Sequence, residues 1–372
     1  MRPFLPFTRP AIDEHSIAAV AQVFRSGQLA SGPKVLEFEA ALRQYLGGER
    51  HLRVMTSATA GLEMALEVAG IGAGDEVIVP AMSFAASANV VARVRAKPVF
   101  VDIELHSRNI DLSKVPERIT PRTRGIMPVH FAGLAVDMDA LYGVAQRHGL
   151  RVIEDAAHAI GTRYKGKLIG SFGDLVVFSF HPNKNMTSIE GGAISTSDAK
   201  AAALFEQYRF HGIKKNAEGE VDVLFPGAKS NLTDIAAQVG IDQLARLDGF
   251  NARRLVLAQR YFEEFGDDGC VVLPARGDGG HAWHMFQVLV DFAAHGMTRA
   301  IFQKRMAERG IGVGHHYPSI PGLAYYQAQG YREADTPVAA RVGHEIVTLP
   351  LFPAMQDTDV ARVVQAIREI LR

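Results

Sequence analysis

The chain has 372 residues, which at roughly 150 residues per domain predicts two domains, or one large domain with a smaller attachment. It is 48% hydrophobic and 22% charged, enough apolar side chain for a sizeable core, which excludes a stapled mini-protein and a disordered chain. Forty basic residues balance forty acidic ones, so no global field draws the protein to nucleic acid or to a membrane surface.

The opening MRPFLPFTRPAIDEH has prolines and an acidic pair where a signal peptide needs an unbroken apolar run. No apolar stretch reaches the eighteen or so residues that span a bilayer. The lone Cys270 cannot close an intramolecular disulfide, and a cytoplasmic location is expected.

From about residue 50 the sequence alternates β-branched runs with helical patterns. HLRVMT (51–56) precedes the helix-like TAGLEMALEVAG; DEVIVP (75–80), KPVFVDI (97–103) and RGIMPVH (124–130) follow, then the helix-like DMDALYGVAQRHG, LRVIEDA (150–156) and DLVVFSF (174–180). Strands separated by helices predict crossover units and a mainly parallel sheet, and runs without polar alternation predict strands buried on both faces. After about residue 245 the pattern changes to a long Arg-rich helix (LDGFNARRLVLAQRYFEEFG), a Gly/Pro/Asp loop, HAWHMFQVLVDF, the helix TRAIFQKRMAERG and a terminal helix from Asp357. The expected organisation is therefore a large α/β domain over 1–245, with an N-terminal arm, and a small α+β domain over 246–372. The cleft between the two is the natural site.

Three stretches carry chemistry. In FSFHPNKNMTSIEGGA (178–193), Lys184 follows a buried strand, whereas most of the eleven lysines sit beside glycines or on polar helix faces. A lysine near a desolvated sheet edge has its ammonium form disfavoured, which suits Schiff-base chemistry. In RVIEDAAHAIG (151–161) a parallel strand ends in Glu154 and Asp155, with His158 following, at the edge where α/β proteins bind ligands. Asp155 there is either a helix cap or the carboxylate that keeps a pyridoxal-type ring nitrogen protonated. In MTSATAGLEMAL (55–66) a strand gives way to a turn of small residues opening a helix, which is either an ordinary N-cap at Ser57 or Thr59 or an anion cradle. No metal site is assigned.

The order SATAG, PAMSFAASAN, EDAAHAIGTRYKG, FSFHPNKN…EGG and SNLTDIAA resembles the DegT-type sugar aminotransferases, pyridoxal-phosphate enzymes of fold type I. The likeness runs from FLPFTRPAI and SGQLASGP to the closing LPLFP, and is greatest to the members that aminate a UDP-linked 4-keto-pentose to UDP-4-amino-4-deoxy-L-arabinose. The resemblance implies that Lys184 binds pyridoxal 5'-phosphate covalently and later moves protons, and that Asp155 pairs with the ring nitrogen. Phe84 falls where an aromatic side chain stacks on the ring, with His158 flanking it. Ser57, Ala58, Thr59 and Ser179 match phosphate-binding positions, although the family often has glycine where Ala58 stands. Asn231 matches a residue that reaches the phosphate from the neighbouring subunit of a homodimer. Lys184, where some relatives have histidine and act as dehydrases, argues for transamination.

The implied reaction moves an amino group from glutamate to a nucleotide-linked 4-keto sugar, with pyridoxamine phosphate between the halves and 2-oxoglutarate released, in surface polysaccharide, lipopolysaccharide/lipid A or related amino-sugar synthesis. Glu190 in EGG resembles enzymes acting at C4. Lys229, Arg209 and His315-His316 are candidates to meet the diphosphate, with UDP, GDP and dTDP open as the nucleotide. Two rivals stand beside this reading: a dehydrase or lyase on the same scaffold, and a non-catalytic metabolite-binding regulator.

Overall fold

The computed structural model describes residues 3–267, 269–277 and 279–372. Its centre is a seven-stranded sheet with the spatial order His51–Met55, Gly192–Thr196, Leu175–Ser179, Arg151–Asp155, Thr123–Ile126, Glu76–Pro80 and Lys97–Val101. The last five run parallel to one another, and Gly192–Thr196 is antiparallel to both of its neighbours. The predicted α/β class and mostly parallel sheet are therefore what the chain forms. Gly192–Thr196 is not among the predicted strands, because the EGG turn ahead of it reads as a loop and its own five residues open on Gly-Ala and include Ser195.

Glu76–Pro80 and Leu175–Ser179 are buried along their whole length, as unbroken apolar runs require when both faces of a sheet are covered. One face packs beneath the helices Ala58–Val68 and Ala86–Arg93 through Leu62, Ala65, Val90 and Val91. The other packs beneath Pro33–Tyr45 and Met138–His148 through Phe38, Leu42, Leu141 and Val144. Gly61 lies on the first helix where a Cβ would come within 2.8 Å of Met55 Sδ and 2.9 Å of Val177, so its lack of a side chain lets that helix sit close on the strands that end at the site.

The helix Asp234–Phe265, capped by Thr233, is 32 residues long and passes without a break through residue 245. Its first half joins the second face of the sheet, and its second half joins a separate cluster built from Leu257, Tyr261, Phe286, Phe302, Val363 and Ile367. That cluster covers one face of a two-stranded antiparallel sheet, Phe286–Leu289 with Ile346–Leu349, beneath the helices Arg299–Glu308 and Asp357–Leu371. The N-terminal arm lies on this part of the molecule, with Leu5 buried and bridged to Ile311. Asp268 and Asp278, in the loop predicted after the long helix, lie outside the described residues.

Candidate active site

The parallel strands end on one side of the sheet, and there a cavity of about 350 Å³ gathers Ser57, Ala58, Thr59, Phe84, Asp155, His158, Ser179 and Lys184. Eight of the nine residues that the resemblance assigns to catalysis or cofactor binding thus meet in one place. Local folding explains each position. Asp155 and Ser179 are the last residues of adjacent parallel strands. Lys184 stands on the turn that follows, its amide donating to the carbonyl of His181 at 2.9 Å.

The helix Ala58–Val68 opens directly after the edge strand. Ser57 is its N-cap, with Oγ accepting from the Ala60 amide at 3.1 Å. The amides of Ala58 and Thr59 head this helix, where backbone N–H groups lack intrahelical partners and the helix dipole favours an anion. Gly192 passes beside this turn so closely that a Cβ would lie 2.5 Å from the Ala58 nitrogen. The cradle and the strand leading away from Lys184 are in backbone contact.

Asp155 is 4% exposed. Burial raises its carboxyl above the ordinary range, while hydrogen bonds from Ser87 and the Ala157 amide, and the facing Lys184, pull it down. Burial lowers the Lys184 ammonium to about 8, with Asp155 pulling the other way. A lysine held near 8 has a substantial free-amine fraction at neutral to mildly basic pH, the form that attacks a carbonyl. No helix follows Asp155, so it is not a helix cap: its Oδ1 accepts from the Ala157 amide at 3.1 Å within a turn, and its Oδ2 accepts from Ser87 at 2.7 Å.

His158 is 3% exposed; its Nδ1 accepts from the Ala132 amide at 3.3 Å and its Nε2 lies 3.4 Å from the Tyr317 hydroxyl. Burial pushes it well below its usual value, so it presents a neutral, flat ring, tilted by 34° against His284 with centroids 4.6 Å apart. Phe84 is 58% exposed and tilted against Tyr317 with centroids 5.7 Å apart. The cavity therefore has aromatic walls, a cationic or nucleophilic amine, a buried carboxylate and a ring of small residues at a helix start.

On the opposite side of the Asp155 strand, Glu154 is fully buried. It accepts from Tyr142 at 2.7 Å and from His130 Nε2 at 3.0 Å, while His130 Nδ1 accepts from the Val136 amide. This network fixes the strand end that carries Asp155 without entering the cavity.

Asn231 does not line the cavity of its own chain. It is bonded to Ser31 and Lys229 and bridged to Met55, and the cap of the long helix is Thr233, two residues on. Arg209 is buried against Glu39, Glu206 and the Val54 carbonyl, so it serves packing and is removed from the candidates for a diphosphate. Lys229 lies 4.5 Å over the Phe210 ring, and His315 bonds to Arg299 and the Gly343 carbonyl. His316 and Glu190 do line the cavity, with Glu190 3.6 Å from His181. Sequence reasoning missed Tyr317, Ser83 and Ser87. The two serines, four apart in MSFAASAN, had a readable helix-start spacing, whereas Tyr317 arrives from a distant loop.

The chain matches the DegT/DnrJ/EryC1/StrS aminotransferase family over residues 10–368. It is 40% identical to the spore coat polysaccharide biosynthesis protein SpsC of Bacillus subtilis, over 99% of this chain and 97% of that one. Among solved structures it superposes on Helicobacter pylori PseC, an aminotransferase involved in the biosynthesis of pseudoaminic acid, with TM-score 0.93 and 27% identity over 99% of each chain. It also superposes on NtdA of Bacillus subtilis with bound cofactor PMP, with TM-score 0.86 and 29% identity over 97% of this chain and 83% of that one. No helix among the described residues is long and apolar enough to cross a membrane. With a lysine, a buried carboxylate and a helix-start cradle meeting in one cavity, and a family match spanning nearly its whole length, this chain belongs to the DegT/DnrJ/EryC1/StrS aminotransferase family.

Proposed function

We propose that this protein is a pyridoxal-phosphate-dependent aminotransferase that moves an amino group from glutamate to C4 of a nucleotide-linked 4-keto sugar, in surface polysaccharide or related amino-sugar synthesis. The observation that carries it is the placement of Lys184 and Asp155 in one cavity with the Ser57–Thr59 helix start. The residues fit that cofactor on physical grounds. An amine lowered by burial suits a covalent carbonyl link, a buried carboxylate suits a ring nitrogen, and the missing side chain at Gly192 lets the cradle turn sit undisturbed with its amides heading the helix, where a phosphate binds. Pyridoxal phosphate supplies a carbonyl that links to amines and a ring that accepts carbanion electrons.

The protein's own part is binding, orientation and proton movement. Ser57, Ala58, Thr59 and Ser179 would hold the phosphate, and Phe84 and the neutral His158 would contact the ring. Asp155 holds the proton at the ring nitrogen. Lys184 Nζ would anchor the cofactor and, as a free amine, would take the Cα proton of the donor. The same groups would serve the sugar half. Glu190 and His316 stand at the cavity where the sugar arrives.

Asn231 completes the phosphate site of a second copy in this reading. Support comes from exposed apolar side chains near it: Phe210 is bridged to Lys229 and Leu29 precedes Ala30, which is bridged to Thr233, two residues to either side of Asn231, and Val221, Val223 and Leu224 follow on the neighbouring hairpin. The large and small domains, divided along the Asp234–Phe265 helix, bound the cleft.

The test is product analysis with nitrogen-labelled glutamate and a panel of UDP-, GDP- and dTDP-linked keto sugars. Label at C4 of a sugar, with one 2-oxoglutarate released per amine, is expected. Label at C3 would overturn the C4 assignment, and loss of water from the sugar without amine transfer would replace this reading with the dehydrase.

A further inference from the structure

Among the described residues, Ser87 makes the only side-chain hydrogen bond that the Asp155 carboxylate receives. Its Oγ has three oxygen neighbours: Asp155 Oδ2 at 2.7 Å, Ser83 Oγ at 2.9 Å and the Phe84 carbonyl at 3.3 Å. Ser87 has one proton, and an ionised carboxylate and a carbonyl can only accept. The shortest contact is also the charge-assisted one, so the proton goes to Asp155. The 2.9 Å contact is then a hydrogen bond only if Ser83 donates to Ser87. The chain of protons runs one way, from Ser83 through Ser87 to Asp155. Both hydroxyls are buried, at 3% and 1% exposed, so bulk water does not replace either donor.

We propose that Ser87, oriented by Ser83, is a positioning residue that keeps Asp155 ionised and aimed at the cofactor ring nitrogen. This rests on the role given to Asp155 above and deepens it. Burial alone would favour a neutral acid at Asp155, and a neutral acid would reverse the chain: Asp155 would donate to Ser87, and Ser87 to Ser83 or to Phe84. The two hydroxyls thus decide which form the site holds before any substrate binds. Other groups facing Asp155 are Lys184 from the turn after Ser179, His130 from beyond the neighbouring strand, His158 from its own following turn and the Tyr317 hydroxyl from the C-terminal part. Of these, none supplies a side-chain hydrogen bond to the carboxylate.

The experiment measures binding of pyridoxal phosphate to the full-length apoprotein by absorbance and fluorescence quenching across pH, with no turnover required. Binding should weaken at low pH as Asp155 takes a proton. Losing one charge-assisted donor raises a carboxyl by about one to two pH units. The midpoint of that acid edge should therefore rise by this amount in Ser87→Ala, and return to the wild-type position in Ser87→Thr. Circular dichroism melts confirm folding. If Asp155→Asn keeps the wild-type acid edge, or the wild-type chain binds no cofactor, the assignment of Asp155 itself falls. If Asp155→Asn removes the edge while Ser87→Ala leaves its midpoint unmoved, the Ser87 inference alone falls. A rise in Ser87→Thr equal to that in Ser87→Ala would assign the effect to packing and overturn it too. Should Ser87→Ala fail to fold, Ser83→Ala gives the same readout, with a smaller rise expected and no rise overturning the inference.

Discussion

Gly192→Ala probes the point where the fold and the anion cradle are one object. The added Cβ would meet the Ala58 nitrogen at 2.5 Å, the Ser57 carbonyl carbon at 2.6 Å and the Ala58 Cα at 2.9 Å, all backbone atoms. Relief needs a retreat of about 1 Å to reach ordinary carbon contact near 3.5 Å. Gly192 cannot retreat, because it is paired with Met55 on one side and Ser179 on the other. The Ser57–Thr59 turn must therefore move, at an overpacking cost of about 1–3 kcal/mol in stability. A 1 Å shift breaks at least one amide-to-phosphate hydrogen bond, and one such bond to a charged group is worth about 1.5–3 kcal/mol. Affinity for pyridoxal phosphate should fall by about ten- to a hundredfold. Titration with pyridoxal phosphate and, in parallel, with pyridoxal lacking the phosphate separates the two effects. The loss should be large for the first and small for the second. As a control, Gly191→Ala meets only the Ser188 hydroxyl at its closest, a group that can rotate, and should weaken binding less. Equal losses for both ligands in Gly192→Ala, or wild-type affinity in a destabilised variant, would refute the placement of the phosphate at this turn.

Lys184 sits near 8 because of burial, so below that pH it is ammonium and above it free amine; the rate at which apoprotein forms a borohydride-reducible bond with pyridoxal phosphate should rise through about 8, with the pyridoxyl label mapping to Lys184 alone. Gly249 lies in the long helix with nothing within 4 Å of a Cβ, and Gly249→Ala should add about 0.5–1 kcal/mol to unfolding free energy in denaturant melts without changing turnover. For the shared site, Lys184→Ala chains mixed with folded, inactive Asn231→Ala chains should recover about a quarter of wild-type activity on random pairing, because each mixed dimer keeps one intact site; no recovery after proven subunit exchange would place Asn231 in its own chain's chemistry.

The sequence by itself determined the sheet strands that carry the site and where they end. Runs such as DLVVFSF are apolar on both faces and short, so only a covered strand accommodates them, and the residues that follow them must emerge at the sheet edge. Lys184, Asp155 and Ser57–Thr59 were legible for that reason, together with the family resemblance of their surroundings. Tertiary structure alone decided what faces them. Ser87 bonds Asp155 across 68 residues of chain, and Tyr317 approaches His158 across 159; no local periodicity encodes such pairs. It also decided that Arg209, a plausible anion contact by residue type, is spent on Glu39 and Glu206 in the interior. A charge in sequence shows only that a partner is needed, and the chain's packing chooses whether that partner is a ligand or another side chain. The direction of Gly192–Thr196 was hidden likewise, since strand polarity depends on the path of the EGG turn and on Gly192 fitting against Ala58, a contact made between segments more than a hundred residues apart in the chain.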